Sequence, residues 1–205
     1  MASALNFISS AVSPQQHQFE SLDPVTHSHS DRVATYCLAI ATEMHLNSRE
    51  LECVRLAALL HDVGKIGTDF RILEKPGPLT DDEFTAVKRH PSHGARMVRA
   101  FADLKIAIPG IELHHERLDG SGYPYGLAGD QIPLAPRIIA VADTFDAITS
   151  VRPYQKAMKL EFALHRVRSL AVSKLDPRAV AALERAVRLR RVSVAGEPEL
   201  HSLPN

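Results

Sequence analysis

From Arg32 onward the apolar residues Val33, Tyr36, Cys37, Ile40, Ala41 and Met44 recur at helical spacing, and nowhere does the chain alternate apolar and polar residues with period two for long. This excludes a sheet as the organising layer and predicts an all-α fold of amphipathic helices. The helix-start signals agree. Ser48 can cap a second helix whose first turn carries Glu50 and Glu52, favourable at the positive end of the dipole. Thr80 followed by Glu83 reads as a capping box, Pro91 suits the first turn of "PSHGARMVRAF", and Asp176-Pro177 reads as a cap followed by a first-turn proline. Further helices are expected over "GIELHHE", near Pro136 through Ser150, and near Glu161 through Ser173. At 205 residues the chain has room for one domain with a real core. Its expected limits are residues 23–190, after a weakly periodic leader (1–22) with room for one short helix and before a charged, fraying tail (191–205).

Composition narrows the function classes. The 24 basic and 24 acidic residues cancel, so no net field would hold the chain to a nucleic-acid polymer or an anionic membrane. No apolar run approaches the roughly 20 residues that span a bilayer. Cys37 and Cys53 lie within helical apolar patterns and no secretory segment opens the chain, which predicts reduced thiols in a cytoplasmic protein. The anomaly is histidine, with 11 copies. Residues 117–132 hold Gly120, Gly122, Gly126, Gly129 and Pro124, a density that predicts a long ordered loop.

Ala57, Ala58, Leu59 and Leu60 make the second helix apolar nearly all round, so the His61-Asp62 pair that follows belongs at the edge of a core. A buried aspartate there needs a strong partner. For an isolated pair, a local hydrogen bond would suffice. Other clusters change the reading: His29, His90, the adjacent His114 and His115, and Asp143 one helical turn before Asp146. Histidine nitrogen and carboxylate oxygen without thiolate suit divalent iron, manganese, zinc or nickel. So many donors exceed what one ion with open positions needs, and two ions with a bridging carboxylate would use them.

The ordered run of His29 and Arg32, "HDVGKIG" (61–67), His90, "HHERLDGSGYP" (114–124) and "ADTFDAITSVRPY" (142–154) resembles the HD-GYP subgroup of the HD superfamily. The resemblance covers roughly Asp23 to Val187. It implies a helical HD-domain bundle with a Gly-rich GYP loop, and a bi- or trinuclear centre of iron or manganese, with zinc, nickel or cobalt as alternatives. The activity it implies is hydrolysis of cyclic di-GMP to linear pGpG or onward to GMP. It assigns His29, His61, Asp62 and Asp143 to one metal and His90, His114 and His115 to the second, with Asp62 bridging. Two ions about 3.5–4 Å apart can acidify a shared water and aim it at phosphorus. Lys65 then reaches a phosphate or leaving oxygen, with a snorkelling lysine as the bland alternative. Tyr123, Asp146 and Arg152 match positions near the substrate, although loop anchoring and salt bridging would explain them nearly as well. His17, His27, His45, His93, His165 and His201 fall outside the pattern and are assigned to solvent or helix surface.

Two departures stand out. Trinuclear relatives carry a glutamate four residues before the first ligand histidine, where this chain has Val25. The expectation is therefore a binuclear centre. After "RPY", Gln155 and Lys156 stand where many relatives place a basic residue at once. Two rival readings accompany the phosphodiesterase. One is a low-turnover module that senses cyclic di-GMP or docks diguanylate cyclase (GGDEF) domains through the GYP loop, and the other is an HD hydrolase for cyclic GMP-AMP or another phosphate ester.

Overall fold

A computed structural model describes residues 24–150 and 158–192, so the leader (1–22) and the tail beyond 192 lie outside the described residues. Helix α1 (Pro24–Glu43) packs against α2 (Ser48–Leu60), and against α7 (Leu134–Thr149) and α9 (Pro177–Arg188) near the end of the chain. Its buried stripe is Val33, Tyr36, Cys37, Ile40 and Ala41, as the periodicity predicts. The helix starts earlier than the apolar pattern does, so His29 sits within it rather than at its start. His45, in the left-handed region at φ 58°, ends α1 and turns the chain toward α2.

The cap of α2 falls one residue earlier than Ser48. Asn47 accepts from the backbone N–H of Arg49 and of Glu50, and Glu50 accepts from the N–H of Asn47, completing a capping box. Beyond α2 the chain tightens into a 3-10 turn (Val63–Gly67), followed by α3 (Phe70–Leu73), α4 (Asp81–Val87) and α5 (His90–Val98). Thr80 and Glu83 form the expected capping box on α4, and Pro91 lies in the first turn of α5. A second 3-10 turn (Ala102–Ala107) leads into α6 (Ile108–Leu113), which ends just before His114 instead of carrying both histidines. Helix α8 (Leu160–Leu170) packs on α7, and Asp176 caps α9 by accepting from the N–H of Arg178.

No strand occurs among the described residues; one isolated bridge, Asp119 to Ala128, pinches the glycine-rich loop. The core joins α1, α2, α7 and α9, with Tyr36 meeting Phe145 edge to face at 5.2 Å. The residues expected to open the tail are still part of the domain: Val192 is buried, and Arg191 pairs with Glu43 of α1. Neither cysteine is in a disulfide, Cys37 is buried, and no described helix is long and apolar enough to cross a membrane.

Candidate metal centre

Three helix ends each leave orphan carbonyls that need donors. At the end of α2, His61 donates from Nδ1 to the Ala58 carbonyl at 2.7 Å. His90 does the same to Val87 at the end of α4 (2.8 Å), and His114 to Ile111 at the end of α6 (2.8 Å). In the neutral form of each ring, spending the one proton on Nδ1 leaves Nε2 with its lone pair, the atom a metal needs. The Nε2 atoms of His90 and His114 lie 3.3 Å apart, inside a site where both rings are buried. Two lone pairs held that close repel unless something positive lies between them.

His29 completes the pattern from α1. Its Nδ1 donates to Asp146 at 2.7 Å, and its Nε2 faces Asp143 at 3.5 Å and Asp62 at 3.8 Å. Asp62 lies on the break after α2 and is turned two ways, with Oδ1 3.3 Å from His90 Nε2 and Oδ2 3.4 Å from His61 Nε2. Donor atoms within 4.8 Å of one another form three groups: His90 with His114 and His115; His29 with His61 and Asp143; and His61 with Asp62 and His114. The groups share His61 and His114, so one continuous pocket gathers the seven residues. Donors of this kind and number fit two divalent ions.

The electrostatics favours deprotonated ligands. Burial raises the Asp62 carboxyl, but Lys65, His61 and His90 outweigh it and hold the group well below the usual carboxylate range. Burial together with the neighbouring rings pushes His114 well below the ordinary imidazole value, and burial lowers His115 to about 3. Neutral imidazoles and an ionised carboxylate are the forms that bind metal.

Lys65 donates from Nζ to Asp62 Oδ2 at 2.6 Å, at the edge of the pocket. Asp146 requires a correction. It is fully buried, and its oxygens are taken by His29 and by Arg32 at 2.6 and 2.9 Å, so no edge remains for substrate. The carboxylate is a positioning residue that fixes the tautomer and aim of His29, and those two partners outweigh burial to lower it to about 2. Asp146→Asn is therefore expected to keep the fold and weaken metal binding by roughly 10- to 100-fold. A metal titration of the stripped protein checks this, and parental affinity would refute the role.

Tyr123 stacks on His115, with ring centroids 4.6 Å apart and planes at 29°, which puts the GYP loop against the pocket wall. Glu116 holds that loop and was not legible as a site residue. It is buried, and it accepts from the backbone N–H of Tyr125 at 2.7 Å and of Leu127 at 2.9 Å. Its place in "HHE" was the available signal. Gly122 lies against the same strand of backbone, and a Cβ there would come within 2.4 Å of the Glu116 Cα. Arg152 and the side chains of Val25 and His27 lie outside the described residues, as do His17 and His201. His45 and His165 are exposed, and His93 packs its ring over Gly67.

The family model for the HD domain matches residues 18–179. This chain is a member of the HD domain family. Among curated proteins the HD domain is 42% identical over 166 residues to the cyclic di-GMP phosphodiesterase PA4108 of Pseudomonas aeruginosa (80% of this chain, 40% of that protein). It is 40% identical over 166 residues to the 3'3'-cGAMP-specific phosphodiesterase 3 of Vibrio cholerae (81% and 36%). A cyclic di-GMP phosphodiesterase of Thermotoga maritima is 43% identical over 163 residues (78% and 44%). The chain thus spans less than half the length of these relatives. Among solved structures, the HDG"Y"P protein Bd1817 of Bdellovibrio bacteriovorus superposes with a TM-score of 0.65 at 21% identity, over 79% of this chain and 52% of that one. At that identity the likeness speaks for the fold, and it agrees with the helical architecture.

Proposed function

We propose that this HD domain is a metal-dependent phosphodiesterase that opens cyclic di-GMP to linear pGpG. The carrying observation is the pair of buried Nε2 atoms of His90 and His114 facing each other 3.3 Å apart beside Asp62, a carboxylate turned toward both ligand groups. His29, His61, Asp62 and Asp143 would hold one ion, and His90, His114 and His115 the other, with Asp62 between them. Iron or manganese fits this donor set, as do zinc, nickel and cobalt. Two such ions would supply Lewis acidity at the phosphoryl oxygens and a water acidic enough to attack.

The chain's own residues do the rest. Asp146 and the three helix-end carbonyls fix the rings so that binding needs no rearrangement. Lys65, one-third exposed, can leave Asp62 for a phosphate oxygen and stabilise charge on the leaving group. Tyr123 and the loop tied down by Glu116 form a wall against which a nucleotide can rest. The unpaired cysteines suit a reducing compartment, in keeping with a cytoplasmic second-messenger enzyme.

The test is metal analysis of anaerobically purified protein together with product analysis from cyclic di-GMP and 3'3'-cGAMP in the same preparation. Two metals per chain and pGpG as the main product are expected. Preferred cleavage of 3'3'-cGAMP would move the substrate assignment, and a fully metallated chain that cleaves neither would overturn the activity.

A further inference from the structure

We propose that Phe84 and Lys88 form a base-binding corner beside the candidate metal centre, a guanine subsite that α4 and the residue that caps it complete against Tyr123 of the GYP loop. Phe84 is 45% exposed and takes no part in the hydrophobic core. Its placement is specific. The ring meets Tyr123 at 6.4 Å with planes at 80°, and Tyr123 in turn stacks on His115 of the candidate centre. Lys88 Nζ lies 4.4 Å from the Phe84 centroid and 5.9 Å from that of Tyr123, so its ammonium marks the junction of the two rings. The corner therefore runs from a metal ligand outward in two aromatic steps and ends in a cation.

The inference rests on the phosphodiesterase reading, because a cyclic dinucleotide held by its phosphate at the metals must place its bases on the surrounding walls. An exposed aromatic ring offers a stacking surface to any base. The ammonium adds selectivity, since guanine presents two acceptors, O6 and N7, on one edge, whereas adenine places a donor beside N7. A lysine at the junction therefore favours guanine.

The test compares the parent with Phe84→Ala, Phe84→Tyr and Lys88→Ala, all metal-loaded. Binding is measured with GMP and with ribose 5-phosphate, which lacks the base. Phe84→Ala should weaken GMP binding and raise KM for cyclic di-GMP by about tenfold, with ribose 5-phosphate binding and metal content at parental values. Phe84→Tyr should restore GMP binding, which excludes a folding defect. Lys88→Ala should lower kcat/KM for cyclic di-GMP more than for cyclic di-AMP. Parental GMP binding in Phe84→Ala, or equal loss of GMP and ribose 5-phosphate, would overturn the corner. A parent that prefers GMP to ribose 5-phosphate through Phe84, yet cleaves no cyclic dinucleotide, would overturn the activity and keep the subsite.

Discussion

Asp62→Ala is expected to lower kcat/KM by on the order of a thousandfold or more and to strip metal from the protein. Each of its carboxylate oxygens faces a different ligand group, so on the two-ion reading its loss would remove a donor from both groups at once. The substitution also leaves Lys65 and the His61 and His90 rings without their shared anion, so the pocket becomes more positive where cations must bind. Circular dichroism establishes that the variant is folded, and metal content and turnover are then read together. Asp62→Asn, which keeps the shape and removes the charge, should behave nearly as badly. A folded alanine variant with two metals and parental turnover would refute the two-ion mechanism.

Gly64→Ala is expected to be the most damaging single change outside the ligands. A Cβ there would lie 1.9 Å from the His90 carbonyl oxygen and 2.5 Å from the Gly94 nitrogen, and neither atom can swing aside as a flexible side chain would. The 3-10 turn and α5 would have to separate, which costs about 3 kcal/mol and lowers Tm by roughly 6–12 °C for a domain of this size. Separation also draws His90 away from Asp62, so metal loss should accompany the destabilisation. Thermal melts with and without added manganese measure both effects. A variant that melts within about 2 °C of the parent would show that the turn repacks freely.

Much of this was legible from spacing. The stripe of α1, the Thr80 and Asp176 caps and the first-turn Pro91 are local signals, fixed by residues within one or two turns of each other. The convergence of His29, His61, Asp62, His90, His114, His115 and Asp143 was legible only through motif resemblance, because periodicity states which face of a helix is apolar and not which helix ends meet. Asp146 was misplaced for the same reason. One turn from Asp143 it shares a face with it, and nothing local shows that Arg32 and His29, more than a hundred residues away, take up its oxygens. Phe84 was invisible because an aromatic in a short amphipathic helix looks like core until its exposure is known.

The three histidines that donate to carbonyls three residues earlier carry a further consequence. Each ring is tethered to the backbone of its own neighbourhood, so its aim is set by local geometry before the helices dock. Adjustment to ions of different radius cannot come from rotating these rings. It would fall instead to His115, which rests against Tyr123 by stacking, and to Asp143, which faces His29 at 3.5 Å. The pocket thus divides into a stiff frame and two compliant members, one in each ligand group. Exchanging manganese for zinc should move those two side chains and leave the frame in place.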